Sequence, residues 1–162
     1  MNQVVNLFWT IVCFIPIIIY WATAGHLLWC FIFISISVLS QTLPLNRLQL
    51  SHNPKFYERL GIKFIRKFVQ HGEYVNTLKR KAKPHYSVVN NRTGAAQYMK
   101  TIVMYERFHF ICFVFFLSTA IHALVTGHYL LFMVILIANV IYNIYPMLLQ
   151  QYNRVRIARL IK

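Results

Sequence analysis

The chain alternates long stretches that carry no charge with a strongly basic middle. Four apolar stretches, at residues 4–24, 27–45, 108–125 and 129–149, contain no Asp, Glu, Lys or Arg. A helix needs about 20 apolar residues to cross the hydrocarbon core of a bilayer. In lipid, only a helix satisfies all of its backbone polar groups within one segment. The pattern therefore predicts an all-α integral membrane protein with four transmembrane helices, the third of which begins near residue 105.

The links between these helices predict their topology. Only residues 25–26 and 126–128 join the two pairs, so each pair forms a hairpin and both chain termini return to the side of the middle segment. All 17 Lys and Arg then lie on that side, which the positive-inside rule makes cytoplasmic. We expect a single multi-pass domain, residues 1–162, in the inner (cytoplasmic) membrane with both termini in the cytoplasm.

The middle segment, residues 47–104, is predicted to lie on the membrane surface. Asn53 and Pro54 indicate the start of a helix, with Asn as the cap and Pro at the first position, and Gly72 offers an end. Apolar residues then recur every four positions, at Phe56, Leu60, Phe64 and Phe68. A basic row runs beside them, at Lys55, Arg59, Lys63 and Lys67. An apolar stripe flanked by cations favours an amphipathic interfacial helix that faces anionic headgroups, over a soluble helix packed on another element.

Composition narrows the chemistry that the chain can perform. The net charge is +14, and the only acids are Glu58, Glu73 and Glu106, with no Asp. This disfavours metal–diphosphate sites rich in Asp, and the histidine and cysteine spacings fit neither a di-iron nor a zinc site. The sequence thus predicts no metal and no cofactor. Nucleic acid is also disfavoured as a partner, because the cations lie where membrane topology already requires them.

Polar residues at membrane depth identify the candidate site. Glu106 and His109 are spaced i, i+3, which suits a general base and the carboxylate that orients it. The alternative is that Glu106 pairs with a nearby cation. Asn139 and Asn143 lie one turn apart in the fourth span and need either helix partners or a substrate. Beyond them, residues 151–156 (QYNRVR) place amide, aromatic and guanidinium groups at the headgroup level.

In this order and spacing, several motifs resemble one family. They are residues 55–63 (KFYERLGIK), the Glu106-x-x-His109 pair, residues 138–140 (ANV) and residues 151–156. Together they are similar to the glycosyl-4,4'-diaponeurosporenoate acyltransferases, small membrane enzymes of staphyloxanthin biosynthesis, over roughly residues 40–162. The resemblance implies transfer of a fatty acyl group to a sugar hydroxyl of a membrane-bound glycolipid. It marks six residues and, loosely, a seventh in the basic loop: Glu106, His109, Asn139, Asn153, Arg154, Arg156 and His85.

The leading hypothesis is therefore a membrane acyltransferase that acts on a glycolipid or similar lipid. His109, oriented by Glu106, would take the proton of the acceptor hydroxyl, and Asn139 or Asn143 would donate to the oxyanion. The substrates, including an acyl-CoA or acyl carrier protein donor, would be bound by Asn143, Tyr152, Asn153, Arg154, Arg156 and His85. The alternative is a non-enzymatic membrane subunit that binds lipid or a partner protein, in which these residues hold helices together. A transporter is least favoured, since no inverted repeat is visible.

Overall fold

The computed structural model describes residues 2–24, 26–65 and 92–161, and every regular element in these ranges is helical. The α-helices are α1 (Asn2–Ala24), α2 (Leu27–Leu39), α3 (Pro54–Arg59), α4 (Ile62–Ile65), α5 (Arg92–Val125), α6 (Tyr129–Asn139) and α7 (Tyr145–Ile161). A π-helical turn, Val140–Ile144, joins α6 to α7, and 3₁₀ turns lie at Ser40–Thr42 and Leu45–Leu48. The all-helical prediction is confirmed for the described residues.

Three helices are long and apolar enough to cross a membrane: Asn6–Ala24, Thr93–Val125 and Tyr129–Arg159. They indicate that the protein is associated with a membrane. The second and third are each roughly 45–50 Å long at 1.5 Å per residue, which exceeds the roughly 30 Å of hydrocarbon. Gly127 adopts a φ of 83° and closes the turn between α5 and α6, so these helices run antiparallel. Both are therefore longer than one crossing of the hydrocarbon requires.

The second apolar segment forms a shorter helix than the 27–45 span predicted from the sequence. Its apolar helical stretch covers Leu27–Thr42, and the regular α-helix ends at Leu39. The hydroxyls of Ser40 and Thr42 donate to the carbonyls of Ser37 and Leu39, which tightens the last turn, and Pro44 follows. This helix packs against α5. The four-span arrangement stays a prediction.

The core at the Gly127 end is built by α1, α5 and α6. Its buried residues are Cys13, Ile17, Tyr20, Trp21, Phe116, Ala120, Ala123, Ile135, Ala138 and Tyr142. Three alanines in this set let the helix backbones approach closely, which is how helices associate when the hydrophobic effect gives no advantage in lipid. The Tyr20 hydroxyl bonds His122 Nδ1 and lies 3.1 Å from Thr126 Oγ1. This core aligns α1 with the α5–α6 hairpin.

At the opposite end, the segment that follows α2 lies along α7. Tyr57 and Ile62 pack with Leu148, Leu149, Tyr152 and Val155, and Ala95 and Ile102 pack with Ile157. Because these contacts connect α3, α4 and α5 to α7, the segment packs together with the ends of the long helices that lie opposite Gly127.

The predicted interfacial helix is correct at its start and wrong in its continuity. Asn53 caps α3 by accepting from the Lys55 backbone N–H, with Pro54 at the first position. Gly61, at a φ of 80°, then ends that helix and separates it from α4. Phe56 and Phe64 are exposed, as a membrane-facing stripe requires, but attachment to a membrane surface stays a prediction. Residues 66–91, including His85, lie outside the described residues.

Candidate active site

A cavity of about 720 Å³ opens between the N-terminal half of α1, the first half of α5 and the α6–α7 junction, with Ile65 at its edge. Its wall is rich in aromatic residues, namely Trp9, Tyr98, Tyr105, Phe108, Tyr142 and Tyr145. Polar groups are few, and His109, Gln150 and Asn153 are among them. A largely apolar space of this size with a few polar groups is typical of small-molecule and lipid sites.

Helical periodicity explains which residues face this cavity. On α5, the lining residues Tyr98, Ile102, Tyr105 and His109 recur every three or four positions and so share one face. On α7, the same spacing brings Pro146, Leu149, Gln150 and Asn153 onto the opposing wall. The two faces are held together by packing between α5 and α7.

His109 is the one residue of the predicted catalytic set that lines the cavity. Its ring meets the Tyr142 ring edge-on, with 5.5 Å between centroids. Its Nδ1 atom is buried and has no hydrogen-bond partner among the residues the structure describes. The polar neighbours of the imidazole are the Asn143 side chain and the Tyr142 backbone. Because Nδ1 faces the protein, Nε2 is the nitrogen that a molecule in the cavity can reach.

The π-helical turn shapes the wall opposite His109. Pro146 has no backbone N–H, so it cannot bond the Tyr142 carbonyl as an α-helix would require. One position earlier, the Tyr145 N–H bonds the Val140 carbonyl, five residues back instead of four, and this widens the helix. The Tyr142 hydroxyl lies 2.8 Å from Thr10 Oγ1 and connects this turn to α1. Such π turns are frequent at functional sites.

Asn139 and Asn143 lie behind this wall, and neither lines the cavity. Both are almost fully buried, with 1% and 0% of their surface exposed. Asn143 Nδ2 donates to Asn139 Oδ1 at 2.8 Å, and Asn139 Nδ2 donates to the Phe113 carbonyl of α5 at 3.3 Å. Each amide NH₂ group therefore already makes one hydrogen bond inside the protein.

Glu106 points away from the cavity and towards α7. It is 1% exposed, and its Oε1 atom lies 3.4 Å from Arg154 Nη2. Arg154 also donates to Gln49 Oε1 and, at 3.5 Å, to the Leu45 carbonyl. Within the described ranges, no hydrogen bond joins Glu106 to His109. The cation that pairs with Glu106 comes from a different helix, so this buried ion pair fastens α5 to α7.

A second polar group extends the same connection. The Gln151 amide donates to the Leu48 carbonyl at 2.9 Å and accepts from the Leu50 N–H at 3.3 Å. The Tyr57 hydroxyl lies 3.1 Å from Gln151 Oε1 and is bonded by Gln49. Burial raises the pKa of the Tyr57 phenol above its ordinary value. These bonds hold the segment between α2 and α3 against α7.

Tyr152 and Arg156 form a third polar group on α7, in which Tyr152 is buried and Arg156 is exposed. The Tyr152 hydroxyl donates to Glu58 Oε1 at 3.1 Å, and the Arg156 guanidinium lies over the Tyr152 ring, 5.3 Å from its centroid. Lys63 Nζ is 2.8 Å from Glu58 Oε2, and this bond holds the pKa of the Glu58 carboxyl below its ordinary value. Arg156 itself is exposed, so it remains accessible to an anion.

The fold separates the described residues that the sequence named into four groups. His109 and Asn153 line the cavity, and Glu106 and Arg154 form the buried ion pair. Asn139 and Asn143 bond each other behind the cavity wall, and the buried Tyr152 contacts the exposed Arg156 on α7. Sequence reasoning missed the lining residues Trp9, Thr10, Tyr105 and Tyr145. Helical spacing from His109 back to Tyr105 and Tyr98 offered a signal for α5, whereas nothing in α1 marks Trp9 or Thr10.

Comparison with known proteins identifies the family of this chain. Residues 41–162 match the family of glycosyl-4,4'-diaponeurosporenoate acyltransferases. The chain belongs to this family. No curated protein and no solved structure gave a significant match. Membership makes the protein an acyltransferase of carotenoid biosynthesis and confirms the resemblance seen in the motifs. The matched residues include α3 to α7 but exclude α1, which nevertheless supplies part of the cavity wall.

Proposed function

We propose that the protein transfers a fatty acyl group to a hydroxyl of a membrane-bound glycolipid, with His109 as the general base. The observation that carries this proposal is the position of His109 on the wall of the aromatic cavity, in a chain that belongs to an acyltransferase family. Histidine is the side chain that most often takes a proton in enzyme reactions near neutral pH.

The reaction needs only one base in the cavity. His109 Nε2 takes the proton of the acceptor hydroxyl while its oxygen attacks the carbonyl carbon of the donor. The tetrahedral intermediate then collapses, the bond from the carbonyl carbon to the donor's leaving group breaks, and the leaving group receives the proton from His109. The acceptor keeps the acyl group as an ester, so no acyl-enzyme is required.

We assign the oxyanion donors to the cavity wall. The NH₂ groups of Asn139 and Asn143 each make a hydrogen bond within the protein, and neither residue lines the cavity. Gln150 and Asn153 do line it, three positions apart on α7. An amide N–H aimed at the developing negative charge lowers the barrier because it is oriented before the reaction begins.

The depth of the cavity suits a lipid acceptor. Along the helix, His109 lies roughly 24 Å from Val125, at the end of α5, and Tyr142 lies roughly 20 Å from the start of α6. In a hydrocarbon core of roughly 30 Å, both lie near the boundary opposite Gly127. At that level the sugar of a glycolipid meets the headgroup region while its apolar part stays in lipid.

The basic side of the protein suits the acyl donor and the anionic lipid headgroups. Arg154 is engaged with Glu106, so we assign contact with the phosphates of an acyl-CoA or acyl carrier protein to the exposed Arg156. Anionic headgroups would meet the same cationic side. This arrangement corresponds to a multi-pass protein of the inner membrane with both termini in the cytoplasm.

The test is His109→Ala, with His52→Ala as the matched control, because His52 lies in an exposed loop outside the cavity. Acylated product is measured by lipid mass spectrometry in membranes that hold equal amounts of folded enzyme. We expect His109→Ala to lose about 10²-fold or more in rate, as for removal of a general base, while His52→Ala retains it. Full activity in His109→Ala would refute the mechanism. If His109→Ala mainly lowered the yield of folded protein, the result would favour a structural role for His109.

A further inference from the structure

The direction of the hydrogen bonds behind the cavity is set by one backbone group. A carbonyl oxygen can only accept, so the Asn139 group 3.3 Å from the Phe113 carbonyl must be its NH₂. Asn139 Oδ1 then faces the next turn, where it accepts from Asn143 Nδ2 at 2.8 Å. The oxygen and nitrogen of an asparagine amide are nearly identical in shape, but here the backbone carbonyl determines the orientation of both side chains.

This direction leaves Asn143 with a free acceptor. Asn143 Oδ1 is buried and has no partner in the described ranges, and the same holds for His109 Nδ1. The two side chains are neighbours, and the Tyr142 backbone lies beside the same imidazole. A buried polar atom without a partner is costly. A proton on His109 Nδ1 satisfies both atoms, since Nδ1–H can donate to Asn143 Oδ1.

The second possible partner of Nδ1 requires the same proton. Pro146 leaves the Tyr142 carbonyl without its α-helical donor, and a carbonyl also accepts only. Whichever of the two acceptors is closer, the neutral imidazole carries its hydrogen on Nδ1. The lone pair then lies on Nε2, the nitrogen that faces the cavity.

We propose that Asn143 is the positioning residue of this enzyme, because it selects the Nδ1–H tautomer of His109 and leaves Nε2 free to accept the proton of the acceptor hydroxyl. This role rests on the proposed function of His109 as the base. In this role, a neutral amide takes the place that a carboxylate would otherwise have beside the histidine. The amide is oriented by its bond to Asn139, which in turn bonds the Phe113 carbonyl of α5. Glu106 is not needed for it.

The tautomer can be measured without any substrate. The wild-type protein is labelled with ¹⁵N-histidine in nanodiscs, and the His109 signals are assigned as those absent from His109→Gln. Nitrogen chemical shifts report which ring nitrogen carries the proton. We expect the Nδ1–H tautomer at neutral pH in the wild type. A wild-type His109 with its proton on Nε2 would overturn the proposal by itself.

Three variants extend the test to the residues behind the cavity. Asn143→Leu, which removes the acceptor at similar volume, should shift the tautomer ratio about fivefold towards Nε2–H, the effect of one lost hydrogen bond, and lower kcat with little change in KM. Asn139→Leu should shift the ratio in the same direction, because Asn143 loses the acceptor that holds its amide. Within the described part of the chain, Asn139 itself makes no hydrogen bond to the ring. Asn153→Leu is the matched control, since it changes the cavity wall and should leave the ratio unchanged.

The outcomes separate the two proposals. If His109→Ala keeps its activity while the tautomer responds to Asn143→Leu, the catalytic role fails and the positioning contact stands. If His109→Ala is inactive but neither asparagine variant moves the ratio, the role of Asn143 is refuted and the base remains. Should Asn143→Leu not fold, the wild-type spectrum and Asn139→Leu still decide the question.

Discussion

The Glu106–Arg154 pair allows a sharp test of what Glu106 does. The substitution is Glu106→Gln, which keeps the shape of the side chain and one oxygen that can accept from Arg154, but removes the charge. Glu106 is 1% exposed, and the Arg154 side chain is 13% exposed, so the guanidinium would lose its counter-charge in a nearly dry site. The structure therefore predicts a loss of stability and little direct effect on chemistry.

The size of the loss follows from the partners that Arg154 keeps. Removing one member of a buried ion pair costs about 3–5 kcal/mol. The Gln oxygen remains as an acceptor, and Arg154 retains its bonds to Gln49 and Leu45, so we expect the lower end, about 3 kcal/mol. At about 2–4 °C per kcal/mol for a chain of this size, Tm should fall by about 6–12 °C.

The assay combines thermal unfolding in detergent with activity per folded molecule, measured well below the new Tm. We expect kcat within about threefold of wild type, because Glu106 neither lines the cavity nor bonds His109. In a double-mutant cycle, Arg154→Met combined with Glu106→Gln should cost less than the sum of the two single changes. An unchanged Tm with kcat reduced about 100-fold would refute this reasoning and return Glu106 to the role of partner for His109.

Two further predictions concern the segment that lies along α7. Gly61→Ala should cost about 1 kcal/mol, because an alanine at a φ of 80° is strained although its Cβ would meet open space, and Gly61→Asn, which tolerates this conformation better, should cost less in the same unfolding measurement. The lowered pKa of Glu58 means that its contribution to stability is present above the ordinary carboxyl pKa and is lost as the pH falls through the folded-state value. The Tm difference between wild type and Glu58→Gln should therefore shrink as the pH is lowered towards 3, and a difference that stayed constant would contradict it.

Helix α1 lies outside the residues that match the family but forms part of the cavity wall. The matched residues begin at 41, yet Trp9 and Thr10 of α1 line the cavity, and Thr10 bonds the Tyr142 hydroxyl. The matched residues thus supply His109, Gln150 and Asn153, whereas the wall beside Tyr142 is completed by residues outside the match. The shape of the cavity in this protein depends on both parts.

Much of the architecture is local and could be predicted from the sequence. Charge-free length and apolar composition determine the long helices, since lipid leaves the backbone no other way to satisfy its polar groups. Asn53 and Pro54 determine where α3 begins, because capping involves only neighbouring residues. Motif order was enough to indicate the family, which the match over residues 41–162 confirmed.

What the sequence could not decide is which helix lies opposite each polar side chain. Spacing puts Glu106 and His109 near one face of α5. Residues three positions apart still point in somewhat different directions, so each side chain contacts a different part of the neighbouring helix. Only packing placed Arg154 opposite Glu106 and the Tyr142–Asn143 turn opposite His109. The cavity likewise exists only because α1 packs against that turn. The two elements are more than a hundred positions apart in the chain. Periodicity determines the face a residue occupies, whereas long-range packing determines its partner, and the chemistry of His109 depends on the partner.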